Sequence, residues 1–200
     1  MLAEISPKLV MELRQRTGVG MMDCKKALAE ANGDLDLAIE SLRKRGAAKA
    51  AAKADRAASE GLVEAYIHPG GRVGVLLEIN CETDFVARTD DFKNLIKGIA
   101  MHIAAMGPIA VRREEISADL VASERAIYIE QVRAEGKPEA IVEKIVDGKI
   151  NKWYSEVVLL DQPYVKDDKK TVGGLIQEAV ARMGENIQVR RFAKYRLGQD

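Results

Sequence analysis

Asn80-Cys81-Glu82-Thr83-Asp84-Phe85-Val86-Ala87-Arg88 is the joint of this chain. Upstream of it, Val73, Val75, Leu77 and Ile79 alternate with Gly74, Leu76, Glu78 and Asn80, the period of a strand with at least one buried face. Downstream, Phe92, Leu95, Ile96, Ile99, Ile103 and Met106 recur at helical spacing and mark a long amphipathic helix. A strand therefore turns into a helix within the nonamer. Thr83 and Asp84 both suit an N-cap. Two placements of Phe85 satisfy the spacing. Either it packs back onto its own strand as a hydrophobic staple, or it stands on an exposed first turn, where an aromatic beside a carboxylate suits a partner's pocket.

Working outward toward the N-terminus, Val63, Ala65 and Ile67 alternate before Pro69-Gly70-Gly71-Arg72, so a β-hairpin precedes the joint, with His68 at its tip. A histidine there is ordinarily solvated. Before the hairpin, Arg43, Lys44, Arg45, Lys49, Lys53 and Arg56 crowd an Ala-rich stretch, which reads as a semi-rigid helical linker over residues 47–60. Such a strip could track RNA phosphates, but no stacking aromatics are interleaved, which favours a solvated helix. Residues 1–46 read as three short helices. Ser6-Pro7 opens the first, Cys24, Ala27, Leu28 and Ala31 face one way on the second, and Asp34 caps a third that ends near Gly46. The turn Thr17-Gly18-Val19-Gly20 leaves Met21 and Met22 either in the core or as an adaptable surface.

Toward the C-terminus, Ser117 caps a helix ending at Glu135-Gly136, Pro138 starts a short helix ending at Asp147-Gly148, and Ile150, Trp153, Tyr154 and Val157 mark another. Leu160 to Lys170 reads as loop. Thr171 caps a helix that Gly184 closes, and Ile187 to Leu197 alternate as a final strand, with a bulge or exposed edge near Arg191. That strand completes a three-stranded antiparallel sheet with helices on one face, and the class is α+β. Residues 61–200 form this core. The open face is expected to expose Leu62, Tyr66, Leu76 and Phe192, a patch large enough to call for a second copy of the chain.

Apolar residues are 47% and charged residues 31% of the 200, which calls for a folded, water-soluble core, and 4% aromatics make that core aliphatic. The 31 acidic and 31 basic residues cancel, which argues against a chain built for broad nucleic-acid binding. Cys24 and Cys81 have no metal-ligand spacing and read as buried reduced thiols. His102 sits at the edge of the long helix's apolar face as a satisfied, partly buried side chain. No metal or cofactor is expected. No segment has membrane-spanning length or the form of a secretory signal, so a cytoplasmic protein is expected. The chain has no phosphate-binding loop, dinucleotide fingerprint or nucleophile elbow, and an enzyme is not expected.

The nonamer is similar to the signature of the bacterial translation elongation factor Ts family. Arg14-Gln15-Arg16-Thr17-Gly18-Val19-Gly20-Met21-Met22-Asp23-Cys24-Lys25-Lys26-Ala27-Leu28 resembles a second pattern of that family. Ala100-Met101-His102-Ile103-Ala104, Gly136-Lys137-Pro138, Gln162-Pro163-Tyr164-Val165 and Gly184-Glu185-Asn186-Ile187 follow in the family's order. The resemblance implies a head like a ubiquitin-associated three-helix domain over residues 1–46 and a short form of the family's core, whose open face is expected to pair with that of a second copy as a homodimer. It implies guanine-nucleotide exchange on elongation factor Tu, in its GDP-bound and nucleotide-free forms. In the family the Thr-Asp-Phe-Val segment enters the Tu GTPase domain and disturbs its Mg²⁺ site, which maps onto Thr83, Asp84, Phe85 and Val86. Arg14, Met21 and Met22 map onto the head's contacts with Tu, and His68 onto a further contact. Without the resemblance, the residues alone leave a helical adaptor or a weak RNA binder of the translation machinery.

Overall fold

Single side chains mark where elements of this chain begin. In the computed structural model, which describes residues 5–199, Ser6 accepts the Leu9 N–H on its Oγ at 3.3 Å, and Pro7 opens α1 (Pro7–Thr17). Gly18 closes it with a left-handed backbone, its N–H donating to the Arg14 carbonyl at 2.7 Å. After α2 (Met21–Glu30), Asp34 caps α3 (Leu35–Ala51) by accepting the Leu37 N–H at 2.9 Å. The three helices close on Val10, Leu13, Cys24, Ala27, Leu28, Ala38 and Leu42, a core of their own.

Helix α3 does not end near Gly46, as its sequence suggests, but runs on to Ala51. Gly46 is buried there. A Cβ on it would stand 3.3 Å from that of Ala181, so the glycine serves close packing rather than termination. Helix gives way to turns just after Ala51, so the linker is helical only in part.

Strands β1 (Glu60–Ile67) and β2 (Val73–Cys81) form the expected hairpin, and a later strand β5 (Gln188–Arg196) pairs on the other side of β2. The His68 N–H donates to the Val73 carbonyl at 2.9 Å, which sets the hairpin register. Leu197 N–H donates to the Arg72 carbonyl at one end, and Arg191 Nε donates to Glu78 at 2.7 Å further along, so β5 is antiparallel to β2. The hairpin register corrects the expected open face. It puts Leu62 and Tyr66 on the side of buried Val75, Leu77 and Ile79, and both are half-buried, as is Phe192. Only Leu76 of the expected set is exposed, and it lies on the side of Val63 and Ile67. On β5, Val189 is buried, Arg190 and Arg191 are both exposed, and Phe192 is half-buried. The alternation slips by one residue, as at a bulge.

After β2 come α4 (Asp84–Ala87), α5 (Asp90–Met106), a 3-10 turn (Arg113–Glu115) and α6 (Ala118–Ala134), which Ser117 caps through the Leu120 N–H at 3.3 Å. Two sequence expectations fail beyond this point. Helix α7 (Glu139–Val157) is continuous through Gly148. One glycine costs a helix about 1 kcal/mol, less than what is gained by burying Val142, Val146, Ile150 and Trp153 along one stripe. The segment expected to be loop carries a small hairpin, β3 (Pro163–Tyr164) paired with β4 (Asp167–Thr171). Its anchor is buried Tyr164, whose hydroxyl lies where a Cβ on Gly98 would come within 2.5 Å. Thr171 Oγ1 then accepts the Gly174 N–H at 3.1 Å at the start of α8 (Val172–Met183).

The chain divides into two compact units. The first holds the chain up to Leu62 with Ile79–Leu95 and Ile176–Gln188; the second holds Val63–Glu78, Ile96–Leu175 and the chain from Val189. In the second unit, fully buried His102 accepts the Val165 N–H on Nδ1 at 3.1 Å. That fixes the proton on Nε2, which donates to Gln162 Oε1 at 2.8 Å, while Gln162 Nε2 donates to the Glu156 carbonyl at 2.7 Å. Burial holds the imidazole below the ordinary histidine value of 6.5, against a smaller upward effect of the Gln162 bond. A depressed folded pKa contributes stability that is present above the unfolded value and is lost as pH falls. The Tm of the wild-type chain is therefore expected to drop as pH falls below about 6.5. His102→Gln should cost about 1–3 kcal/mol at neutral pH and flatten that acid slope. Calorimetric melts across pH 5 to 7.5 check both; equal slopes would remove His102 from the titration.

Candidate functional site

Strand β2 ends at Cys81, and the chain must leave the sheet with its next N–H groups unpaired by any strand. Glu185 takes them. Its Oε2 accepts the N–H of Glu82 and of Thr83, both at 3.0 Å, and its Oε1 accepts the Thr83 hydroxyl at 2.6 Å. A charged acceptor makes these the stronger kind of hydrogen bond. Thr83 Oγ1 in turn accepts the Val86 N–H at 3.5 Å and caps α4. The Thr83 carbonyl accepts the Cys81 thiol at 3.1 Å and the Ala87 N–H at 3.4 Å. Every polar atom of Thr83 is thus engaged.

The single turn of α4 is closed as firmly as it is opened. Arg88 N–H donates to the Asp84 carbonyl at 3.1 Å, and the Arg88 guanidinium pairs with the Asp84 carboxylate at 2.7 Å. Thr89 Oγ1 donates to the Val86 carbonyl at 2.7 Å and accepts the Phe92 N–H at 3.2 Å, starting α5. Ala87 is buried, and Val86 is half-buried. Phe85 is 79% exposed. Of the two placements open to it from the sequence, the ring takes the exposed one, on a backbone with no slack.

The corner is also tied to the segment after α3. The Asn186 N–H donates to Glu82 Oε1 at 2.7 Å, and its Nδ2 donates to the carbonyls of Ala54 at 3.2 Å and Arg56 at 2.7 Å. Arg56 pairs with Glu82 at 3.6 Å. Glu185 and Asn186 went unassigned in the sequence, where they stand in a similarity motif about a hundred residues from the corner. No local pattern pairs positions that far apart.

The other candidate residues fall into two places. Met21 and Met22 open α2, 41% and 77% exposed, and Arg14 is exposed near the end of α1, so the three flank one turn of the head. They share the first unit with the corner. His68 belongs to the second unit, exposed, with its Nδ1 3.2 Å from the Tyr66 hydroxyl. The basic side chains of the linker have partners: Arg43 with Glu178, Lys44 with Glu40, Arg45 with Glu30, Lys49 with Asp23, and Lys53 with the Gly184 carbonyl. Such exposed pairs are individually weak, yet four of the five cations sit beside a carboxylate. Among the described residues no group of His, Cys, Asp and Glu could hold a metal ion, and no helix is long and apolar enough to cross a membrane.

Compared with known proteins, the chain falls among the translation elongation factors. A family model described as "Elongation factor TS" matches residues 40–199. An "Elongation factor Ts" of Desulforamulus reducens is 60% identical over 198 residues, 99% of this chain and 91% of that protein. One from an Anaeromyxobacter species is 60% identical over 198 residues, 99% and 90% of the two chains. Another, of Fervidobacterium nodosum, is 57% identical over 196 residues, 98% of this chain and all of that protein. The chain belongs to the elongation factor Ts family.

Both cysteines are free and buried. Burial, and after it the nearby Glu185 charge, push the Cys81 thiol up to about 11. The thiolate is the reactive form, so at pH 8 Cys81 of the native chain should not react with iodoacetamide on a timescale that labels it in concentrated guanidinium. Mass spectrometry of the digested protein reads the outcome; rapid labelling of Cys81 would mean that the corner opens in the native state.

Proposed function

We propose that this chain is a guanine-nucleotide exchange factor for elongation factor Tu, acting in the cytoplasm and carrying out no covalent step. Phe85 carries the reading: a large apolar ring held in water on a corner whose backbone is hydrogen-bonded throughout. An aromatic so placed suits a partner's pocket, and we propose that the pocket lies on the GTPase domain of Tu, a reading that membership of the family supports. Asp84 shapes the turn through Arg88, Thr83 caps it and Val86 packs beside it. Arg14, Met21 and Met22 are proposed as a second contact from the head, with His68 as a third. Nucleic acid has no part in this reading, which the zero net charge of the chain supports.

Exchange of this kind is negative coupling between two ligands of Tu. The factor weakens GDP by the same free energy by which GDP weakens the factor. In P-loop GTPases the nucleotide is held by its phosphates and a Mg²⁺ ion, so displacing that region is enough to release it. Burying a Phe side chain is worth about 1.5–3 kcal/mol, and tenfold in affinity is about 1.4 kcal/mol. The ring by itself therefore supplies about ten- to a hundredfold of the coupling. Replacing Asp84 and Phe85 together by Ala should leave the circular dichroism unchanged and slow Tu-bound GDP release by about that factor. Stopped-flow release of a fluorescent GDP measures it, and unchanged acceleration by the folded variant would sink the reading.

We further propose a homodimer through the open face of the sheet. The residues that support it are Val63, Ile67, Leu76 and Tyr195, all exposed, with Ile67 at 65% and Tyr195 at 74%. A two-fold pairing covers such a face with an identical one. Leu76→Asp places a charge at its centre, where an unpaired buried charge is costly, and should shift the species toward the monomer. Light scattering across a dilution series decides it; a monomeric wild type at micromolar concentration would reject the dimer.

A further inference from the structure

One carboxylate gathers the donors at the foot of the corner. Glu185 lies immediately after Gly184, whose N–H donates to the Val180 carbonyl at 2.9 Å and whose positive φ of 80° reverses the chain out of α8. The reversal presents Glu185 and Asn186 side by side. Glu185 accepts three hydrogen bonds, two from backbone N–H groups and one from the Thr83 hydroxyl. Asn186 grips Glu82 with its backbone and the carbonyls of Ala54 and Arg56 with its side chain. Their hydrogen bonds to the corner end on Glu82 and Thr83. What they fix is the backbone two and three residues before Phe85, where the extended chain changes direction.

We propose that Glu185 is the positioning residue of the Phe85 wedge: it holds the Thr83 backbone in the one conformation that presents the ring to a partner. The inference rests on the exchange-factor reading given above. Without the carboxylate, the N–H groups of Glu82 and Thr83 lose their acceptor, and the corner samples conformations in which Phe85 is misdirected. A partner then binds only the competent fraction, and its apparent dissociation constant rises by the inverse of that fraction. The turnover of a correctly docked complex does not change, because the ring itself is intact. The signature is specific. The concentration for half-maximal GDP release rises while the limiting release rate stays constant.

The test titrates elongation factor Tu loaded with a fluorescent GDP with the full-length chain and its variants. Glu185→Ala is expected to raise the half-maximal concentration at least tenfold with the limiting rate within twofold of wild type. Glu185→Gln, whose amide oxygen still accepts both N–H groups, should recover most of that loss. Hydrogen exchange read by NMR should show lost protection at the Glu82 and Thr83 amides in Glu185→Ala, with the β2 amides unchanged. If Glu185→Ala does not fold, Glu185→Asp, which keeps the charge but shortens its reach, is expected to give the same pattern in weaker form. A half-maximal concentration unchanged in the folded variant, with Phe85→Ala impaired, overturns the positioning role and leaves the exchange reading standing. Phe85→Ala with wild-type release overturns that reading, and the positioning role with it. A fall in limiting rate with no change in half-maximal concentration also overturns the proposal.

Discussion

The constraint at the centre of this protein is the end of strand β2. A strand that stops pairing leaves its next N–H groups to find acceptors outside the sheet. At Glu82 and Thr83 the acceptor is a single carboxylate, that of Glu185. Once those two donors are fixed, Thr83 has one backbone conformation, its hydroxyl is aimed at the Val86 N–H, and the single turn of α4 follows. Cys81 closes the set from the other side by donating its thiol proton to the Thr83 carbonyl. A turn of four residues is far too short to be stable as an isolated helix. It exists here because both of its ends are capped by threonines that are themselves held, Thr83 by Glu185 and Thr89 by the Val86 carbonyl.

This rigidity gives meaning to the exposure of Phe85. An aromatic on a mobile loop can fold back and bury itself, and binding then has to order it again. On this corner the backbone bonds hold the ring out in water, which lowers the backbone-ordering cost of binding. The same logic bears on the head. Met21 and Met22 stand at the start of α2, on a three-helix bundle with a compact core, and their flexible side chains rather than their backbone adapt to a partner. A stiff aromatic and a pair of soft thioethers suit different jobs, one to displace and the other to hold.

Much of this was legible in the sequence, because it is written in local signals. Ser6, Asp34, Thr83, Ser117 and Thr171 each stand at the start of a helix, and the alternation of β2 against the period of α5 located the corner to within a residue or two. Other features depend on distant partners and left no local trace. Gly46 looks like a stop until Ala181 is seen beside it, and Gly148 looks like a break until the buried stripe of α7 is followed through it. The short β3–β4 hairpin is polar and charged, and its anchor is a tyrosine seated on Gly98. The faces of the sheet were misassigned because alternation fixes which residues share a side of one strand but not which sides of two strands coincide. That needs the register, and the His68 to Val73 bond supplies it.

The magnitudes set how the parts must share the work. A Phe ring is worth about 1.5–3 kcal/mol on burial, and under the proposed exchange reading that is all the ring itself brings to the coupling. If the ring were the only contact, the factor would bind weakly and displace little. Tightness has to come from contacts that persist whether or not the wedge is inserted, because those raise the local concentration of the ring without opposing its entry. The head is suited to this role: its exposed Met21 and Met22 belong to the same unit as the corner. Asn186 ties the corner to the Ala54 and Arg56 carbonyls, just beyond the helix that leads out of the head. On the proposed reading, holding and wedging fall to separate surfaces joined through a short, hydrogen-bonded path. Affinity can rise at the first without changing the geometry of the second.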